Sequence, residues 1–240
     1  MDRFTNFLFT PFWTAGVTLS AVIVARLKRE ARHIAEGERL WARGLLGFWG
    51  VEVETEGLEH LPEQGPYILM ANHQSHADVP ILFSTLPIIP GFLAKKELAK
   101  IPFLAMALRN GGHVLIDRAD RSHATRALKI AADEIRSGKT LAIFPEGTRG
   151  RQDRLAPFKK GGFLIAKKAR VPVIPLAISG SRHILPRDTV FPRSGKVRVS
   201  VGPRISPEEI RNLDVNGLSE RVYQSMSALL GWPSTPVPES

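Results

Sequence analysis

The chain contains no cysteine. That excludes disulfides, thiolate metal sites and a cysteine-linked acyl intermediate, and it fits a reducing compartment. No Gly-x-Ser-x-Gly elbow is present either; Ser179-Gly180-Ser181 does not supply one. A serine nucleophile raised on a strand-to-helix turn, as in serine hydrolases, is therefore not expected. There is no internal repeat and no low-complexity tract. No nucleic-acid-binding motif accompanies the formal net charge of +10. Such a charge calls for an anionic partner, either nucleic acid or a membrane surface. The basic residues flank an apolar segment, which favours the membrane, although a basic binding module without catalysis stays open at this point. The 43% apolar content is ordinary for a globular protein and excludes a polytopic membrane protein. A length of 240 residues suffices for one well-buried α/β domain with an appendage.

Charge is also missing locally, from Phe4 to Ala25. About 20 apolar residues span a bilayer, and this run has that length, though Asn6, Pro11 and several Thr and Ser dilute it. Only Asp2 and Arg3 precede it and no small-residue cleavage signal follows, so no signal peptide is expected. Arg26, Lys28, Arg29, Arg32, Arg39 and Arg43 come next and belong on the cytoplasmic side. Leu40, Trp41, Leu45, Leu46, Phe48 and Trp49 are interleaved with them, a mixture suited to the headgroup layer. We expect two helices, at about 11–35 and 38–49, lying in one leaflet. A single full span competes with this reading, and a buried core helix is the plain alternative.

From Val51 the pattern alternates strand and helix. Val51 to Glu56 reads as an edge strand, and Tyr67 to Ala71 as a buried one. Strands are also expected at Ile88 to Ala94, Val114 to Ile116, Thr140 to Phe144, Val171 to Ile178 and Lys196 to Gly202. Two prolines put the Val171 strand near an edge or make it irregular. Helices are expected at Glu97 to Leu108, Ser122 to Ser137, Phe158 to Ala169 and Pro207 to Leu230. The result is an α/β fold: a largely parallel, mixed sheet of about seven strands flanked by helices, preceded by an N-terminal two-helix membrane-anchoring segment. The expected domains are residues 1–50 (membrane-associating helices) and 51–232 (the α/β domain), with a frayed tail at 233–240.

Two stretches carry chemistry. Asn72-His73-Gln74-Ser75-His76-Ala77-Asp78 leaves the Tyr67 strand, and Val79-Pro80-Ile81-Leu82-Phe83 opens a helix after it. His73 thus lies at a strand's carboxyl end, where ligands bind in open α/β sheets. Asp78 stands at the N-cap position with Pro80 in the first turn. A short turn folds Asp78 back on the imidazole, fixing one nitrogen and freeing the other as a base. The plain alternative is a histidine that merely closes a turn. The second stretch is Phe144-Pro145-Glu146-Gly147-Thr148-Arg149, after Thr140 to Ile143. Arg149 and Arg118 each end a strand, which places both at one cleft, where a guanidinium grips phosphate in bidentate fashion. A structural salt bridge is the alternative for each.

These blocks resemble the glycerolipid acyltransferase family, in particular its bacterial 1-acylglycerol-3-phosphate acyltransferases. Gly112-His113-Val114-Leu115-Ile116-Asp117-Arg118 and Val171-Pro172-Val173-Ile174-Pro175 match that family as well. All four blocks occur in the family's order, over roughly residues 51 to 202. Two positions depart from it: Leu115 where Phe is common, and His76 where an aromatic residue is common.

The resemblance implies transfer of a fatty acyl group to the 2-hydroxyl of 1-acylglycerol 3-phosphate, giving phosphatidic acid. The donor is acyl-carrier protein or acyl-CoA as co-substrate. Another lyso-lipid or glycerol 3-phosphate is the alternative acceptor. Such a reaction needs a base near the hydroxyl (His73), an orienting carboxylate (Asp78) and donors for the oxyanion. The turn of Glu146, Gly147 and Thr148 is the candidate for those donors and for holding substrate. The family also has a lysine in the Lys-x-Glu-Leu setting of Lys95, implying a phosphate contact; a solvated charge pair is the alternative. With direct attack by the hydroxyl, no acyl-enzyme forms. No metal, no cofactor and no nucleic acid are expected. The expected partners are an anionic phospholipid membrane, a lysophospholipid and the acyl donor. The expected location is monotopic, on the cytoplasmic face of the bacterial inner membrane. His113, His123 and His183 read as surface or packing histidines.

Overall fold

The computed structural model describes residues 3–28, 30, 32–63, 65–100, 105–106, 108–109, 111–117 and 121–233, without the side chains at 3, 6, 95 and 121–124. Two helices, α1 (Arg3–Lys28) and α2 (Arg32–Trp49), lead into β1 (Val51–Glu56). Then follow β2 (Ile68–Ala71), α3 (Asp78–Thr85), β3 (Gly91–Lys95), β4 (Val114–Ile116) and α4 (Arg121–Arg136). The chain continues with β5 (Leu141–Ile143), α5 (Lys160–Ala169), β6 (Val173–Ser179), α6 (Ser181–Ile184), β7 (Gly195–Val201), α7 (Pro207–Asn212) and α8 (Val215–Leu230).

Seven strands form one sheet in the order β1-β7-β6-β2-β5-β3-β4. Every pairing is parallel except β6 with β7. This is the α/β fold with a mixed sheet that the alternation of elements implied. Strand alternation sends Leu69 and Ala71 to one face, against α2 and α3, and Ile68 and Met70 to the other, against α4, α5 and α8. Each face therefore has its own apolar core.

The Val171 strand, expected to be near an edge or irregular, is not at an edge, but its pairing is irregular. β6 lies inside the sheet between β2 and β7, two places from the nearer edge. Its Pro175 stands where the antiparallel pairing shifts by one residue, from Leu176 opposite Val201 to Val173 opposite Ile205. The Pro175 carbonyl accepts from Gly202 N–H at 2.8 Å, on the side where β7 has already ended at Val201. Below it Val173 makes a separate bridge to Ile205.

Other boundaries moved for identifiable reasons. α1 starts at Arg3 and runs through Pro11, which sequence reasoning had taken as a helix start. The Pro207–Leu230 helix is two helices, because Asp214 caps a new one by accepting from Gly217 N–H at 2.7 Å. The expected Glu97–Leu108 helix opens as a 3-10 turn, Lys96–Lys100, residues 105–106 and 108–109 are helical, and the rest lies outside the described residues. So does the tail at 234–240.

α2 packs on the domain that follows it: Ala42, Leu45, Leu46 and Trp49 are buried in the same core as α3 and the sheet. α2 also holds α1 closely. A Cβ on Gly44 would sit 2.2 Å from the Trp13 ring, and one on Gly37 2.3 Å from the Ala21 methyl. The Trp13 indole donates to the Trp41 carbonyl at 3.0 Å, and the Trp41 indole to Thr14 Oγ1 at 3.0 Å. The tryptophans thus serve the helix pair. Phe7–Lys28 is long and apolar enough to cross a membrane, with mean hydropathy 1.7. Its outward stripe of Phe4, Leu8, Phe12, Leu19, Ile23 and Leu27 is exposed, which removes the buried-core alternative.

Candidate active site

The site lies where β2, β5 and β6 end. Asn72, buried at the tip of β2, locks two of these strands together. Its Nδ2 donates to the Ile178 carbonyl at 2.9 Å and its Oδ1 accepts from Ile178 N–H at 2.7 Å. His73 follows at once. Its Nδ1 lies 2.7 Å from Asp78 Oδ2. A carboxylate can only accept, so Nδ1 carries the proton and Nε2 keeps its lone pair. The imidazole is stacked on Phe144 with centroids 4.1 Å apart and planes 15° from parallel. Its rotation is therefore restricted from both edge and face.

Asp78 is fully buried, yet it does not cap α3. It is the first helical residue, and Ala77 takes the cap position. The Asp78 carboxylate points back into the turn, where Oδ2 also accepts from Gln74 N–H at 2.8 Å and Ser75 N–H at 2.9 Å. Three donors on one oxygen offset the loss of hydration. Ser75 secures the turn from outside: its hydroxyl donates to the Leu185 carbonyl at 2.8 Å and accepts from Ala77 N–H at 3.0 Å.

The second stretch folds against the first. Gly150 N–H donates to the His73 carbonyl at 2.7 Å, so Arg149 is held one residue from a direct tie to the dyad. Glu146 is 2% exposed. Its two oxygens accept from His73 N–H at 2.8 Å and Ala156 N–H at 2.9 Å. Burial pushes its carboxyl up to about 7, against the pull of those two N–H groups. It clamps three chain segments. Gly147 has φ 72°, a left-handed conformation that favours glycine. Its N–H turns inward to the Phe144 carbonyl at 3.0 Å. The N–H groups of Thr148 and Arg149 make no backbone bond among the described residues. Partial burial, and then the Arg187 guanidinium, lower Arg149 from its ordinary value. Among the described residues no group of three metal-ligating side chains occurs.

The sequence matches the acyltransferase family over residues 52–179. The chain belongs to the acyltransferase family. It is 28% identical over 227 residues to the 1-acyl-sn-glycerol-3-phosphate acyltransferase alpha of Ovis aries, covering 93% of this chain and 78% of that one. It is 34% identical over 183 residues to the 1-acyl-sn-glycerol-3-phosphate acyltransferase of Saccharomyces cerevisiae, covering 74% and 59%. Among solved structures it resembles the 1-acyl-sn-glycerophosphate (LPA) acyltransferase PlsC of Thermotoga maritima, with TM-score 0.83, 26% identity and 95% of each chain covered.

In this acyltransferase the other expected site residues are placed unevenly. Arg118 lies outside the described residues, as does the side chain of Lys95. The next residue, Lys96, forms an ion pair with the buried Asp117. His113 is a packing residue: Nδ1 accepts from Phe92 N–H at 3.0 Å and Nε2 meets Glu38 at 3.0 Å. Sequence reasoning missed Asn72 and Ser75 as anchors, although both lie inside the block it singled out. It also missed Arg187, which donates to the Arg149 carbonyl at 3.1 Å. No local signal marks Arg187; the fold alone brings its loop to the acyltransferase site.

Proposed function

We propose that this acyltransferase moves a fatty acyl group from acyl-carrier protein or acyl-CoA to the 2-hydroxyl of 1-acylglycerol 3-phosphate, forming phosphatidic acid. The observation that carries this reading is the joint between His73 and Gly150 at 2.7 Å. It holds a carboxylate-oriented imidazole and a partly buried arginine as one rigid unit. In the proposed mechanism Nε2 of His73 takes the hydroxyl proton while the oxygen attacks the thioester carbonyl. The tetrahedral oxyanion is met by Thr148 and Arg149 N–H groups, whose dipoles act where charge develops. Collapse expels the thiolate, which receives the proton from His73. Asp78 stabilises the transient imidazolium and stays ionised. Arg149 binds the acceptor phosphate, with Lys95 and Arg118 as further proposed cations.

The names of the relatives support the acceptor, and the exposed stripe of α1 supports a membrane-embedded one. We place the enzyme on the cytoplasmic leaflet in monotopic form, held by α1 lying in the interface. A radiolabelled acyl-transfer assay with both donors against a panel of lyso-acceptors tests this reading. Phosphatidic acid as the main product is expected; activity confined to an acceptor without phosphate would sink it. In the same assay Arg149→Ala should raise the acceptor KM by roughly tenfold or more, the worth of a charge-assisted phosphate contact. Arg149→Lys should recover only part of it, for want of the planar fork.

A further inference from the structure

The cleft has a basic rim of which the proposed reaction uses Arg149 alone. The segments 149–154 and 182–193 carry six arginines against two aspartates. They are fastened to one another. Arg182 donates to the Arg151 carbonyl at 2.9 Å and pairs with Asp153 at 2.8 Å, and Arg187 reaches the Arg149 carbonyl. At its tip the second segment turns apolar: Val190 is 60% and Phe191 38% exposed. The tip is held outward by the fold. Phe191 N–H donates to Thr189 Oγ1 at 3.1 Å, Arg193 N–H donates to the Ile184 carbonyl at 2.7 Å, and Pro192 between them is buried. Its neighbour is α1, for the Phe191 ring lies 5.0 Å from that of Phe7. The exposed stripe of Phe4, Leu8 and Phe12 begins at that point.

We propose that residues 187–193 form a second membrane contact, with Val190 and Phe191 entering the surface of an anionic bilayer beside the first turns of α1. Two observations commit the tip to lipid. Its apolar surface is continuous with the exposed stripe of α1, and the exposed Arg187 and Arg193 flank it in the chain. That mixture is what an interface binds, by apolar burial together with attraction to anionic headgroups. The bond from Arg187 to the Arg149 backbone gives the contact a consequence. The depth of the tip sets the height of Arg149 against the headgroup plane, and so its reach to a phosphate there. This consequence rests on the proposed lysophospholipid acceptor; the membrane contact does not.

The absence of cysteine makes the test direct. Val190→Cys provides a single labelling site for a polarity-sensitive fluorophore, and Phe12→Cys provides a reference on α1. Vesicles of phosphatidylglycerol and phosphatidylcholine in equal parts should shift the Val190 label to the blue. Lipid-borne quenchers should then dim it, both effects being weaker on phosphatidylcholine alone. A Val190 label that stays in water while the Phe12 label shifts would overturn the proposal. So would a shift produced by an acidic carrier protein and not by vesicles. The double variant Val190→Asp, Phe191→Asp should raise the KM for bilayer-embedded acceptor about tenfold. Turnover of a monomeric short-chain acceptor should stay within about twofold, and an unchanged KM on bilayers would also overturn it. Failure of the parent enzyme on every lysophospholipid would instead sink the proposed acceptor, and the fluorescence result would still decide the loop.

Discussion

The roles proposed for His73 and Asp78 divide between chemistry and scaffold, and substitution should separate the two. His73→Ala removes a ring whose only polar bond among the described residues is to Asp78, and should lower kcat by a factor on the order of 10² or more. Its melting temperature should stay near that of the parent. Asp78→Asn should lower kcat comparably and also lower the melting temperature, because Oδ2 holds two backbone donors of the turn. Near-normal turnover in either variant would remove the general-base role. Glu146 makes a pH prediction. Its carboxyl is raised from 4.5 to about 7 by burial, so the folded state binds the proton more tightly than the unfolded chain. The stability this contributes is complete below pH 4.5 and is lost as pH rises through about 7. The loss is at most roughly 3 kcal/mol. Glu146→Gln cannot titrate. Its deficit against the parent should therefore shrink as pH rises across that window, which denaturation midpoints at several pH values would measure. A constant difference would contradict it.

Among the elements, α2 behaves unlike the membrane helix its arginines and tryptophans suggested. Arg39 does not face a headgroup. Its guanidinium gathers the carbonyls at the end of α3, donating to Phe83 at 3.3 Å, Leu86 at 2.8 Å and Pro87 at 3.0 Å. Helix ends leave such carbonyls without partners, and a cation there also meets the negative end of the helix dipole. Arg39→Met should therefore cost about 1–2 kcal/mol of stability. Arg39→Lys should recover only part of that, since a point charge cannot span three carbonyls. An unchanged unfolding free energy would mean that water satisfies those carbonyls as well. Since Leu45, Leu46 and Trp49 belong to the core, removal of residues 1–49 should yield an unfolded chain and not a soluble enzyme.

For the molecule as a whole, one face of α2 is turned into the core, and the longer exposed apolar stripe lies on α1. α1 supplies the apolar surface, and its outward residues support nothing inside: Phe12 is 77% and Leu27 80% exposed. Phe12→Asp combined with Ile23→Asp should therefore release the protein from vesicles in a flotation assay. A carboxylate placed in the bilayer costs roughly 2.5–3.5 kcal/mol. The melting temperature in detergent should hardly change. Continued flotation would show that α1 is not the main anchor.

The alternation of short apolar runs with amphipathic helices was sufficient to read the seven strands and the α/β class, because period and length are local properties. The dyad was legible for the same reason: His73 and Asp78 are five residues apart, and a single turn closes that distance. The strand order was not local. Pro175 argued for an edge or an irregular strand, and β6 runs through the middle of the sheet with its pairing shifted by one residue across Pro175. Arg187 joined the site, Glu146 became a clamp and α2 became core by contacts between segments far apart in the chain. The sequence determined which residues could do chemistry. Only the tertiary structure decided which of them face the cleft, because burial and hydrogen-bond partners depend on what packs against each segment.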